Sequence, residues 1–277
     1  MVTIDLWCVF ALNNNLISTR KVVMLNTESF EIISLQEMDK VKLMNRTDHK
    51  YWFSVSELQS LLDSIDNQYY ILQIDGNYQM SYSTTYFDTL RNDMFTAHHN
   101  GKLNRYKIRK RIYLNSGIGF LEIKFKSNKG RTIKKRIPTD VTSNKFTEKE
   151  DLFIQSNTPY GANDLQLSLQ NNFTRLTLVN KNFKERCTVD LNLQYKKENK
   201  CVALDQLVIV EIKSEGNSEI SALKLALRDH RLKIAGFSKY CIGRTVTDSE
   251  LKRNAFKNKI RKIEKVISTK RELYTIN

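Results

Sequence analysis

Asn104–Leu114 reads N-R-Y-K-I-R-K-R-I-Y-L, and this stretch decides the fold prediction. The side chains of a strand point alternately to the two faces of a sheet. One face of the segment therefore carries four bases, namely Arg105, Lys107, Arg109 and Arg111. The other face carries the apolar side chains of Tyr106, Ile108 and Ile112. The segment is predicted to be a strand with one face on a core and a strongly basic opposite face.

The same period of two recurs along the chain. Six further segments alternate in this way: Gln79–Asp88, Phe120–Lys126, Arg131–Ile137, Phe173–Asn180, Glu185–Tyr195 and Leu207–Ser214. Helical spacing predicts helices over Ser54–Asp66, Ser218–Lys233 and Thr247–Ser268, the last opening with the capping-box pattern T-D-S-E, and a shorter helix from Thr147. Many short strands with few helices indicate an α+β fold, an antiparallel β-barrel with flanking helices.

The polar faces of these strands carry few carboxylates among many bases. In Glu185–Tyr195 the alternation assigns Cys187, Val189, Leu191, Leu193 and Tyr195 to the apolar face, and Arg186, Thr188, Asp190, Asn192 and Gln194 to the polar face. For any one strand, a charged face exposed to water would explain the alternation equally well, and this alternative stays open. Bases that point into a barrel instead favour a bound polyanion, because unpaired buried charge is costly. Carboxylates among the bases, Glu122 and Glu211, would hold Mg²⁺ or Mn²⁺.

Composition supports a polyanion as the ligand. The chain has 277 residues and a formal net charge of +15, which indicates nucleic acid, anionic lipid or phosphorylated small molecules as partners. Its four cysteines form no C-x-x-C pair, so a zinc site is not expected and a reducing cytoplasm fits best. The start of the chain lacks the basic segment and cleavage pattern of a signal peptide. His98 and His99 are expected in a surface loop.

Seven short strings, in order, resemble the VTC domain, the polyphosphate polymerase branch of the CYTH-like triphosphate tunnel metalloenzymes. They are H-K-Y-W (His49–Trp52), T-Y-F-D-T (Thr85–Thr89), I-R-K-R-I-Y (Ile108–Tyr113), L-E-I-K (Leu121–Lys124), I-K-K-R-I (Ile133–Ile137), V-E-I-K (Val210–Lys213) and F-S-K-Y (Phe237–Tyr240). The resemblance covers roughly Met44 to Gly243. It implies an antiparallel tunnel flanked by helices, in which the γ-phosphate of ATP is transferred to a polyphosphate chain with Mn²⁺ or Mg²⁺ as cofactor.

The resemblance also implies roles for individual residues. The catalytic bases would be Lys50, Arg109, Arg111, Lys124, Lys134, Arg136, Arg175 and Arg186. Further phosphate contacts would come from Lys213, Lys239, Ser238 and Arg46, and metal ligands from Glu211, Glu122 and Asp190. Residues 1–40 are expected to be an N-terminal extension, and residues 41–277 the tunnel domain with a basic C-terminal helix.

Two departures from the superfamily pattern bear on the activity. Tunnel hydrolases and cyclases begin with an E-x-E-x-K strand, whereas here Arg46–Lys50 reads R-T-D-H-K, which favours the polymerase branch. Asn192 stands where a carboxylate is expected. A triphosphatase, a nucleotidyl cyclase and a non-catalytic sensor of polyphosphate or inositol polyphosphates remain alternatives. Nucleic acid is not expected as a specific partner. The resemblance makes a membrane-protein partner possible, and the chain itself is expected in the cytoplasm.

Overall fold

The computed structural model describes residues 25–41, 46–215 and 220–268, with the side chain of Arg46 outside the described part. Its strands are β1 (Glu31–Ile33), β2 (Arg46–Ser54), β3 (Tyr69–Leu72), β4 (Met80–Thr89), β5 (Arg105–Tyr113), β6 (Ile118–Lys126), β7 (Thr132–Pro138), β8 (Leu165–Asn180), β9 (Glu185–Lys197), β10 (Lys200–Leu204) and β11 (Leu207–Glu215). Its α-helices are α1 (Leu35–Met38), α2 (Leu58–Asp63), α3 (Asp93–His99), α4 (Glu148–Gln155), α5 (Ala222–Asp229), α6 (Lys239–Thr247) and α7 (Lys257–Ser268).

All these strands belong to one sheet, with the order β2-β11-β9-β8-β4-β5-β6-β7 along its main path. Every ladder is antiparallel except that of β1 with β3. No ladder between described residues joins β2 to β7, so the hydrogen-bonded path stays open there. The predicted antiparallel fold with flanking helices is confirmed, but among the described residues the sheet is open and does not close into a hydrogen-bonded barrel.

The sheet is nevertheless strongly curved. Arg109 on β5, together with burial, lowers the pKa of Lys124 on β6, and Glu211 on β11 acts on this pKa in the opposite direction. Strands β6 and β11 are five places apart in the sheet order, which in a flat sheet would separate them by about 24 Å. Because Glu211 acts on the pKa of Lys124 across this range of strands, the sheet curves so that β6 and β11 approach each other.

Helices cover the outer face of the sheet. Helices α2 and α5 contribute Leu58, Leu61 and Leu227 to a buried cluster with the apolar side chains of β2, β9 and β11. Helix α4 places Ile154 against Ile108 of β5 in a second cluster. Helix α6 adds its apolar side chains to a third cluster that reaches the inner face of the sheet. No helix in the described ranges has the length and apolar composition of a membrane span.

The predicted strands all exist, but the alternation predicted for β9 is wrong beyond Leu191. Asn192 has a positive φ of 52°, and the register with β8 shifts at this point. Such a bulge inserts one extra residue and reverses the faces that follow. Leu191 therefore stays in the outer cluster, whereas Leu193 and Tyr195 pack in the cluster with α6.

Three helix predictions need correction. Thr247 ends α6 rather than capping a helix, and the basic C-terminal helix begins only at Lys257. The helix predicted over Ser218–Lys233 is shorter, spanning Ala222–Asp229, and Ser218 lies outside the described residues. The loop expected around His98 is helix α3, where burial and Lys107 lower the pKa of His98 to about 3. By contrast, the helices predicted from Ser54 and from Thr147 are confirmed.

Candidate phosphate-binding tunnel

The tunnel face is the side of the sheet to which Arg109 on β5 points. Cross-strand register places Glu122 and Arg136 on this face beside Arg109, and Lys124 and Lys134 beside Lys107. Arg109 and Arg111 are both buried, with 8% of each residue exposed. The two arginines are two positions apart on one strand, so their Cα atoms lie about 7 Å apart.

Glu122 is fully buried and neutralises part of this charge. Arg109 donates from Nε to Glu122 Oε2 over 2.7 Å, and Lys134 forms an ion pair with Oε1 of the same carboxylate. Burial acts to raise the pKa of Glu122, but Arg109, Arg111 and Lys134 together hold it far below its usual range. Glu122 is therefore an anion that organises two bases across three strands.

Asp190 organises a second group of bases where β8, β9 and α6 meet. Arg175 binds this carboxylate with two hydrogen bonds, of 2.5 and 2.9 Å, and Lys239 forms an ion pair with it. Burial opposes ionisation, but Arg175 and Lys239 keep the pKa of Asp190 well below its usual range. Ser238, one residue before Lys239, caps α6 and accepts a hydrogen bond of 3.0 Å from Lys107 Nζ.

Glu211 on β11 is the third carboxylate. It forms an ion pair with Lys50 of β2, and its Oε2 lies 3.9 Å from Lys213 Nζ. Burial acts to raise the pKa of Glu211, yet Lys213 and Lys50 lower it to about 2. Its side chain is 19% exposed, compared with 0% for Glu122 and 3% for Asp190.

Arg111 and Lys124 are among the bases on this face that have no ion-pair partner within the described residues. Arg111 donates to Thr84 Oγ1 over 3.2 Å and lies over the rings of Tyr82 and Phe173. Burial and Arg109 lower the pKa of Arg111 to about 10. Lys124 has its pKa lowered to about 6, first by Arg109 and then by burial. Basic side chains without a carboxylate partner in the described part of the chain thus surround Arg111 and Lys124.

The remaining predicted residues lie at three places on the sheet. Arg186 and Lys213 are opposite each other in the β9–β11 ladder and extend the basic lining beyond Glu211. Arg136 is exposed on the edge strand β7, and its guanidinium lies 4.4 Å from the centre of the Phe120 ring. Arg46 begins β2 opposite Glu215, with its side chain outside the described residues.

Residue-by-residue comparison with the family strings misses several tunnel residues. Lys107 continues the basic row of β5, and this signal was present in the alternation of Asn104–Leu114. Tyr86 accepts a hydrogen bond of 3.4 Å from Arg109. Tyr82 and Phe173 are stacked with their ring centres 5.0 Å apart and lie near both Arg111 and Arg175. The pairing of aromatic rings across β4 and β8 depends on register, which a single segment does not reveal.

The resemblance implies a divalent cation, and the donor set limits where one would bind. No three His, Cys, Asp or Glu side chains come together in the described part of the chain. Mg²⁺ commonly uses one or two carboxylates and completes its shell with phosphate oxygens and water. Glu211 fits this arrangement because it is anionic, partly exposed and on the tunnel face. Glu122 and Asp190 fit less well because the side chain of each is almost fully buried.

Comparison with known proteins identifies the family of the chain and proteins of similar fold. A family model described as the VTC domain matches residues 45–247. No curated protein matches the chain. Among solved structures, a Hippeastrum protein described as an adenylyl cyclase candidate with a dominant triphosphatase activity is 14% identical over 74% of this chain and 97% of its own, with a TM-score of 0.51. A Bacillus halodurans adenylate cyclase candidate is 13% identical over 70% of this chain and 96% of its own, with a TM-score of 0.46.

Proposed function

This chain belongs to the VTC domain family, and on that premise we propose that it transfers the γ-phosphate of ATP to a growing polyphosphate chain. The observation that carries the proposal is the excess of bases over carboxylates on the tunnel face, centred on Arg111 and Lys124. A condensed phosphate chain supplies regularly spaced negative charge that such a row of bases can neutralise. Arginine binds phosphate with a planar fork of donors, and lysine binds it as a point charge.

Phosphoryl transfer does not require a covalent intermediate with the protein. A terminal phosphate oxygen of the polymer attacks the γ-phosphorus, the bond to the bridging oxygen of ATP breaks, and ADP leaves. The nucleophile is already an anion, so no protein base is needed. Positioning and stabilisation of charge account for most catalysis of phosphoryl transfer. In this proposal Arg109, Arg111 and Lys124 hold the transferred group, and Lys239 and Arg175 hold the neighbouring phosphates.

Glu211 is the residue we assign to a divalent cation. When bound, Mn²⁺ or Mg²⁺ would neutralise charge on the phosphate oxygens. In the protein without a cation, Lys50 and Lys213 keep the Glu211 carboxylate ionised. These bases are then available to phosphate once the carboxylate takes a cation.

Product analysis tests this proposal against the other activities of the superfamily. The purified protein is incubated with ATP and Mn²⁺, and the products are separated on a gel stained for polyphosphate while ADP, phosphate, pyrophosphate and cyclic AMP are quantified. Long stained chains with stoichiometric ADP are expected. Phosphate release without polymer would identify a triphosphatase, and cyclic AMP with pyrophosphate a cyclase. Binding of polyphosphate with no product would identify a sensor.

Protonation of Lys124 provides an independent prediction. Its pKa of about 6 in the free protein leaves it mostly neutral at pH 7.5. A bound phosphate chain favours the charged form, so binding raises this pKa and takes up close to one proton per site. Affinity should consequently fall as pH rises above 6. Calorimetry at pH 7.5 in two buffers with different ionisation enthalpies measures this uptake.

The control for this measurement is Lys124→Met, which keeps most of the side-chain length and removes the titrating group. Proton uptake at pH 7.5 should then decrease by most of one proton. Equal uptake in both proteins would show that Lys124 is not the group that becomes protonated.

A further inference from the structure

The tunnel face of the β5–β6 hairpin is different at its two ends. At one end the inward positions are Arg105, Lys107 and Lys126, all of them bases. At the other end they are Tyr113 and Phe120, the only aromatic side chains at tunnel-face positions of these two strands. The lining therefore changes from charge to aromatic surface at Arg111, which lies opposite Phe120.

The aromatic end continues a row of rings from the protein core towards solvent. Tyr82 lies 5.0 Å from Phe173 and 5.0 Å from Tyr113, and Tyr113 lies 6.0 Å from Phe120, measured between ring centres. Tyr82 and Phe173 are buried, with 9% and 3% exposure, and belong to the core. Tyr113 and Phe120 are only half-buried. Packing accounts for the first two rings and leaves the outer two with accessible surface.

Two neighbours make this outer surface suitable for a planar ligand. Ile118 is opposite Tyr113 on the same face and is 52% exposed. Arg136 lies over the Phe120 ring at 4.4 Å rather than in an ion pair with Glu122. Aromatic rings and guanidinium planes are the two protein surfaces on which nucleobases stack.

We propose that Tyr113, Phe120 and Arg136 form a stacking platform for the purine base of the nucleoside triphosphate. This inference rests on the proposed function and adds the orientation of the nucleotide. A base on the platform directs the triphosphate along β5 to Arg111 and then Arg109, because successive tunnel-face positions are about 7 Å apart. The γ-phosphate thus points to the basic end at Lys107, from which the polymer approaches. Arg136 contacts the base in this arrangement, not the transferred phosphate.

Comparison of ATP with inorganic tripolyphosphate tests the platform, because the two ligands share the phosphates and only one has a base. Equilibrium affinities are measured by calorimetry for the wild-type protein and for Phe120→Leu. The matched control is Phe125→Leu, on the same strand but on the outer face, where Phe125 stacks on Tyr106. Phe120→Leu should weaken ATP binding at least about fivefold, the lower end for stacking of one base. Tripolyphosphate binding should stay within about twofold, and the control should change neither affinity.

A fluorescent base gives a direct readout of stacking. The triphosphate of 2-aminopurine riboside should lose fluorescence on binding to the wild-type protein and to Phe125→Leu, and lose much less on binding to Phe120→Leu. Equal affinities of the wild-type protein for ATP and tripolyphosphate would overturn the platform, as would a Phe120→Leu variant that loses both ligands equally. Either result leaves the polymerase proposal standing. Selective ATP binding in a protein that makes no polyphosphate would instead support the platform and overturn the proposed reaction.

Discussion

Glu211→Gln should lower metal-dependent turnover of ATP by at least about 100-fold, the scale found when one electrostatic group acting on a transition state is removed. The substitution keeps the shape of the side chain and removes its charge. Lys50 and Lys213 then lose their carboxylate partner, so the tunnel becomes more positive. Tripolyphosphate binding without metal should consequently be unchanged or stronger. Opposite changes in turnover and binding are what distinguish a metal ligand from a structural carboxylate.

Initial rates over a range of Mn²⁺ concentrations, together with metal-free calorimetry, measure both quantities. Glu215→Gln is the matched control, because Glu215 is exposed on the same strand and its substitution removes the same charge. The control should retain wild-type turnover. A Glu211→Gln protein with normal rates and an unchanged Mn²⁺ dependence would place the cation elsewhere. Weaker metal-free binding would show that Glu211 supports the tunnel structure instead.

The strands were predictable because their signal is local. The period-two alternation of Asn104–Leu114 requires only neighbouring residues, and Arg105–Tyr113 forms β5 with the four predicted bases on one face. Lys110 lies on the other face, where it forms a buried ion pair with Glu150. The bulge at Asn192 was not predictable in this way. It depends on how β9 pairs with β8, and the left-handed backbone of Asn192 reverses the two faces without any change in the sequence alternation.

The missed helices have caps that sequence spacing does not reveal. The N-terminal backbone of α3 is bound by Asp88, which accepts hydrogen bonds from the N–H groups of Met94 and Phe95 although it lies on β4. Helix α6 is capped by Ser238 without a glutamate three residues later. The T-D-S-E pattern at Thr247 fits the capping-box rule better than the residues after Ser238 do. Thr247 is nevertheless the last residue of α6 and cannot cap a new helix.

The family strings placed bases and carboxylates on one face but did not show which groups pair. Glu122 and Lys124 lie two positions apart on one strand. The structure pairs Glu122 with Arg109 and Lys134 on the two neighbouring strands. Residues directly across a ladder lie about 5 Å apart, closer than residues two apart on one strand, so cross-strand pairs are favoured. The register of the ladders therefore decides which bases remain available to a ligand.

This difference in pairing separates Arg109 from Arg111, which the sequence treats as equivalent. Arg109 is bound to Glu122 and Tyr86, whereas Arg111 has no carboxylate within ion-pair distance in the described residues and has its pKa lowered to about 10 by burial and Arg109. Arg111→Ala should weaken tripolyphosphate binding by about 1.5–3 kcal/mol, the range for a charge-assisted hydrogen bond. Removal of an uncompensated buried charge should leave the melting temperature of the free protein unchanged or higher.

Arg109→Ala should have the opposite effect on the melting temperature of the free protein. It leaves the fully buried Glu122 with Lys134 as its remaining ion-pair partner, and breaking a buried ion pair is strongly destabilising. Its melting temperature should therefore fall. Arg111→Lys should restore little affinity, because an ammonium cannot reproduce the guanidinium fork. Thermal melts and calorimetry on the three variants measure both effects. If Arg111→Ala lowers the melting temperature and leaves tripolyphosphate affinity unchanged, Arg111 is a structural residue and the tunnel binds phosphate through other bases.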